Sequence, residues 1–162
     1  MTLRYHSTRP VVITKKPSAI YGGYFPPYSP TQIADSIAHV RSIWPATFLR
    51  REPNGQYNCH GMVYAVRRGC IDNSAVATIL LDDEYRPIVK DSEIQTGDLA
   101  IYAQGKKYSD GGAIRHSAIV VGITVKRAII LMSKWGREGE YLHEPMQSPY
   151  SKCSLEYWTD RP

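Results

Sequence analysis

The sequence predicts an α+β fold, and three observations carry that prediction. Apolar residues recur at helical spacing through the first half, the period changes to short β-branched runs after residue 96, and Gly- and Asp-containing turns precede the first two of those runs. Helices first and an antiparallel sheet second is the segregated α+β pattern, not the alternation of a parallel α/β fold.

Taken in order, residues 1–30 carry Pro10, Pro17, Pro26, Pro27 and Pro30 with Gly22-Gly23 and four tyrosines. Proline lacks the donor that regular structure needs, so this stretch reads as an irregular arm whose tyrosines supply apolar area to lie against the domain. Ser29-Pro30-Thr31-Gln32 is a helix start, with a Ser cap, Pro at the first helical position and Gln three residues after the cap. Ile33, Ile37, Val40 and Trp44 follow as one stripe, ended by Pro45. Asn58 caps a second helix with Met62, Val63 and Val66 on its apolar face and Gly69 as its stop. A third covers 72–81 through Val76, Ile79 and Leu80. Strands are expected at 99–102, 116–122, 128–132 and 155–158, the first two after the turns Thr96-Gly97-Asp98 and Ser109–Gly112.

At 162 residues the chain fits one domain, 1–162, with the arm over 1–30 and the core over 31–162. A hydrophobic share of 43% with 22% charged residues excludes wholesale disorder. The net charge of +5 favours anionic encounter partners. The basic residues come as short pairs such as Lys15-Lys16 and Arg67-Arg68, so nucleic acid is not the expected partner. No segment approaches membrane-spanning length, and the first residues lack the apolar core of a secretory signal. The expectation is a chain made soluble in the cytoplasm, with its final location open and export through a dedicated secretion machine compatible with it. Three cysteines do not make a disulfide framework, and the Cys and His spacings match neither a zinc site nor, with the glycines, a phosphate loop. No metal or cofactor is expected.

The chemistry centres on Cys59. It follows Asn58 at the start of the second helix, where the positive end of the helix favours thiolate over thiol. Acyl transfer by a thiolate needs an imidazole to move protons and donors for the oxyanion. His116, which opens an apolar strand, is the expected base. If the hairpin between the strands turns at Thr124-Val125, His116 lies opposite Ser133, which would then orient the ring. His60 points about a hundred degrees away from Cys59 on a helix and is a poor proton partner. His143 ranks as a substrate-side or structural residue, Trp135 as a cleft wall, and Tyr57 and Asn58 as neighbours on the substrate and oxyanion side. Cys70 and Cys153 are structural.

Three segments resemble the NlpC-type and CHAP cell-wall hydrolases, a permuted branch of papain-like cysteine peptidases. Asn58-Cys59-His60-Gly61-Met62-Val63 is similar to that family's nucleophile helix start. Thr96-Gly97-Asp98-Leu99-Ala100-Ile101-Tyr102 is similar to its Pro-Gly-Asp-Leu strand, and His116-Ser117-Ala118-Ile119-Val120-Val121-Gly122 to its His strand. The resemblance implies a papain-like helix-on-sheet fold, Cys59 as nucleophile with its backbone N–H in the oxyanion hole, and His116 as base. It also implies amide-bond cleavage, with bacterial cell-wall peptide as the leading substrate. The implied setting is an exported toxin or a lysin, with an inhibitory or immunity protein as partner. His60 stands where the family has a small residue, and the third catalytic position falls near Met132-Ser133, where His, Asn or Asp is typical. Two rivals stay in view: an acyltransferase or deamidase on the same fold, and an inactive binding module, which these departures favour.

Overall fold

A computed structural model describes residues 5–162; residues 1–4, the beginning of the expected arm, lie outside the described residues. The described chain is a mixed α/β structure with three α-helices, a seven-stranded antiparallel sheet and a separate two-stranded one. The arm is corrected first. It forms a hairpin of β1 (Tyr5–Ile13) and β2 (Ala19–Tyr24). Pro10 is accommodated because the register shifts on both sides of its pairing with Tyr21, a bulge that spares the missing donor. What anchors the hairpin is aliphatic: Val11 and Ile20 enter the core, while Tyr21 stays exposed. Gly23 and Cys70 exchange both backbone hydrogen bonds, at 3.0 and 2.8 Å, tying β2 to the chain beyond the helix that begins at Cys59.

Helix α1 (Pro30–Ile43) has the expected capping box, with the Ser29 hydroxyl accepting from Gln32 N–H and the Gln32 side chain accepting from Ser29 N–H. After β3 (Phe48–Arg51) comes α2 (Cys59–Tyr64), then α3 (Asn73–Asp82) and β4 (Arg86–Pro87). The sheet is completed by β5 (Leu99–Gln104), β6 (Ala113–Ile123), β7 (Ile129–Lys134), β8 (Glu140–His143) and β9 (Ser154–Thr159), in the order β3-β8-β7-β6-β5-β9-β4. Strands β3, β4 and β8 are short pieces with no alternating pattern, which is why the sequence reading missed them.

Period 2 splits the core. Leu99 and Ile101 face α3, packing with Val76, Ile79 and Leu80. Ala100 and Tyr102 face the other way, with Ala118, Val120 and Leu131, under a cover that includes Tyr150 and Cys153 from the segment after β8. A third cluster joins Val40 of α1 to Trp135 and Tyr141.

Helix α2 stops at Tyr64, five residues before the expected Gly69. The Ala65 and Arg67 N–H groups both turn back to the Gly61 carbonyl, at 3.2 and 2.9 Å, and Val66 and Arg67 take left-handed φ values of 49° and 66°. The fold-back brings Gly69 so close that a Cβ on Gly61 would lie 1.6 Å from its carbonyl oxygen. Val66 is β-branched, left-handed and 71% exposed, so it bears strain with little packing in return. Val66→Gly is therefore expected to stabilise the protein by about 1 kcal/mol, read from the urea unfolding midpoint.

Candidate active site

Asn58 builds the start of α2. Its Oδ1 accepts from Gly61 N–H at 2.9 Å and Ile71 N–H at 3.0 Å, and its Nδ2 donates to the Ile71 carbonyl at 2.8 Å. The amide is thus committed to fixing the helix start and the strand-like stretch at residue 71. One of its two Nδ2–H donors is engaged in this way, and the bonds given to Asn58 are to its own helix start and to residue 71. Tyr57 is likewise buried, its hydroxyl donating to Glu140.

Cys59 is the first residue of α2 and only 5% exposed. Helix α2 touches both β6 and β7, and those strands pair only as far as Ile119 and Met132 before they part. Burial alone would raise the Cys59 thiol. The imidazoles of His60 and then His116 outweigh it and hold the thiol well below its ordinary value. Cys59 and His116, paired by sequence reasoning, are therefore brought together.

His116 is fully buried, and its ring stacks on Tyr150 with centroids 3.8 Å apart and planes 10° from parallel. Neither ring nitrogen is committed to another polar group of the fold, and the side chain that bears on the ring, by charge and by hydrogen bonding, is Cys59. Burial lowers the pKa of His116, the Cys59 thiolate pulls it back up only in part, and a charge on His60 pushes it lower. An imidazole beside a thiolate, with no other polar partner, has the chemistry to carry a proton to or from that thiol's reaction partner.

Ser133 does not meet His116, which corrects the expected third position. The hairpin turns between Thr124 and Ala128, and a bulge between Val120 and Gly122 shifts the register, so Ile119 pairs with Met132. Ser133 pairs instead with Tyr141 of β8. Its hydroxyl accepts from Trp135 Nε1–H at 2.9 Å and donates to His143 Nε2 at 2.8 Å, because His143 Nδ1–H is given to the Glu144 carbonyl. Burial pushes His143 down to about 4, so it is neutral at physiological pH. Trp135 sits within the α1–β8 cluster, stacked on Tyr141, and is a core residue where a cleft wall was expected.

Sequence reasoning missed the place of three groups around Cys59. His60 is fully buried and bonded through both ring nitrogens, to Ser117 Oγ and Asn73 Oδ1, each at 2.9 Å. Lys134 is fully buried on β7, its ammonium bonded to the Glu138 carbonyl and set over the Tyr57 ring. Burial brings Lys134 down to about 8. Its unfolded value is near 10.5, so the unfolded state binds more protons between about pH 8 and 10.5 and stability should rise across that window. Lys134→Met is expected to remove that rise, measured by urea unfolding at pH 8 and 10.

Tyr150 covers His116 from the segment after β8, and its own ionisation is opposed first by burial and then by the Cys59 charge. Tyr150→Ala is expected to speed alkylation of Cys59 by a bulky maleimide several-fold, about tenfold at most, by uncovering the pair. The only sequence signal for Tyr150 was Ser148-Pro149-Tyr150, a turn with an aromatic. For His60 the residue type was visible but not its surroundings.

Among the described residues no helix is long and apolar enough to cross a membrane, and no cluster of three His, Cys, Asp or Glu is arranged to hold a metal. No family model, no curated protein and no solved structure matches the chain.

Proposed function

We propose that this protein is a thiol-dependent acyl-transfer enzyme on a papain-like scaffold, cleaving an amide bond in bacterial cell-wall peptide. The observation that carries this reading is Cys59, buried at a helix start and held toward the thiolate by two imidazoles. Perturbation by burial plus specific charge partners is the signature of groups tuned for chemistry. The choice of cell-wall amide rests on the three-segment resemblance, and a net charge of +5 suits an anionic polymer.

In this mechanism the Cys59 thiolate attacks the carbonyl carbon, and the charge moves to the carbonyl oxygen near the N–H groups that open α2. The C–N bond then breaks, and His116 gives its proton to the departing amine, leaving a thioester on Cys59. Water attacks that thioester as His116 takes a proton from it, and the thiolate departs. The proton taken from water in one turnover is the one delivered to the amine in the next.

The test is incubation with purified peptidoglycan and with its soluble peptides, followed by chemical tagging of newly freed amines. Wild type is expected to release amine ends and Cys59→Ala none. Equal release by both, or none from either, would sink the reading.

A further inference from the structure

We propose that the aromatic pocket between the end of β2 and the loop before α2 is a sugar-binding subsite, which holds an N-acetylated ring of the glycan that carries a cell-wall peptide. The part this sugar plays in a reaction rests on the acyl-transfer reading of Cys59; the pocket's affinity for it does not.

Chain geometry puts the pocket beside Cys59. Its cavity of about 330 Å³ is lined by Tyr24, Phe25 and Tyr28 from the end of β2 and the turn into α1, and by Asn54, Gly55 and Gln56 from the loop that opens α2. Gln56 precedes Cys59 by three residues, so their Cα atoms lie within about 11 Å of each other. One molecule can therefore reach both.

The aromatic wall is formed in advance of any ligand. Phe25 N–H donates to the Gly55 carbonyl at 2.8 Å, and a Cβ on Gly55 would come within 2.5 Å of the Phe25 carbonyl oxygen, so the two segments meet backbone to backbone. Arg137 fixes the rings from outside the cavity. Its guanidinium carbon lies 4.1 Å from the centre of the Tyr28 ring and 5.7 Å from that of Phe25, and Nη2 donates to the Pro26 carbonyl at 2.9 Å. Asn54 N–H donates in turn to the Arg137 carbonyl at 3.1 Å, which closes the frame around the loop. Rings held in this way need little ordering when a ligand binds.

The lining selects the ligand. No described residue that lines the cavity is charged, so a carboxylate, phosphate or ammonium group would be buried there without a partner. That argues against the ionised peptide part of a cell-wall polymer and for its uncharged sugar. An N-acetylated sugar ring has an apolar C–H face and a rim of hydroxyl and acetamido groups. Aromatic rings cover the first as they cover any apolar surface. The rim needs groups that both donate and accept, as a carboxamide does. Gln56 supplies one: the residue is exposed, and its side chain bonds to no other described group. The cavity is at the small end of ligand pockets, which suits one ring and its substituent better than an extended peptide. Tyrosines that the sequence only placed against the domain thereby take part in choosing the substrate.

The experiment titrates the full chain with chitotriose, a soluble trimer of N-acetylglucosamine, and follows the Gly55 and Gln56 amide signals by nitrogen-15 NMR. Saturable shifts of both are expected at millimolar sugar. Affinity should fall about tenfold in Tyr28→Ala and several-fold in Gln56→Ala, a surface substitution that spares the fold. No shift in wild type, or shifts undiminished in both variants, overturns the proposal. Shifts produced by a proline-rich peptide and not by the sugar overturn it too, and make the pocket a peptide site. A second measurement compares amine release from a glycan-linked cell-wall peptide and from the same peptide freed of its sugar. The expected kcat/KM is about tenfold higher with the sugar attached, a preference that Tyr28→Ala abolishes. Equal turnover of the two overturns the subsite and leaves Cys59 as nucleophile. Sugar binding with no amine release from either substrate upholds the subsite and sinks the acyl-transfer reading.

Discussion

Replacing His116 with alanine is expected to cut turnover of a cell-wall amide by about 10²- to 10⁴-fold while Cys59 remains open to alkylation at neutral pH. The split follows from the division of charge around the thiol. The charge of His60 is the first of the influences holding Cys59 toward the thiolate, so removing His116 leaves that one in place. What is lost is the ring whose nitrogens are uncommitted, and with it the proton for the leaving amine and the base for the attacking water. The loss should fall on kcat, because His116 lies behind Tyr150 and offers little surface for substrate binding. Measured together, amine release and iodoacetamide labelling separate the two functions. A fall in labelling as deep as the fall in turnover would show that ionisation of Cys59 depends on His116 and that the two functions are not separate.

The parts of this arrangement that lie close in sequence were legible in it. The Ser29 box, the Asn58 cap and the apolar strands at 99–102 and 116–122 are local patterns, and each marks an element that the structure contains. The nearness of Cys59 and His116 followed from those elements. What failed depended on long-range geometry. Ser133 was placed by counting residues from a turn, and one bulge with a turn near Lys126 moved it out of reach. His60 was set aside because a helical wheel turns it from Cys59, yet it is engaged by Asn73 and Ser117, 13 and 57 residues away. Glu140 and Lys134 carry charges that composition assigns to the surface, and their burial depends on partners brought from other elements.

Arg67→Ala is expected to destabilise the protein by about 3–5 kcal/mol, because it strips the main partner from a buried carboxylate. Glu140 is 1% exposed, and Arg67 grips it with Nε at 2.6 Å and a second nitrogen at 3.0 Å, while Tyr57 donates to the same carboxylate and Arg51 stands 3.8 Å away. Burial raises the Glu140 pKa, but the hydrogen bonds from Arg67 and Tyr57 overcome it and leave it below its ordinary value. A carboxylate held down in the folded state adds stability above its unfolded pKa, near 4.3, and that stability is lost as pH falls through the folded value. The cost of Arg67→Ala should therefore be full at pH 7 and shrink on acidification, as Glu140 protonates in the variant. Arg67 also holds its left-handed turn at the end of α2 and, through Tyr57, the residues just before Cys59. Loss of the ion pair should accordingly loosen the start of α2 at Cys59 along with the fold. Glu140→Gln in the Arg67→Ala background removes the unpaired charge, so the double variant should recover much of the unfolding free energy in urea. If it is no more stable than Arg67→Ala alone, the cost lies in the backbone turn and not in the stranded carboxylate.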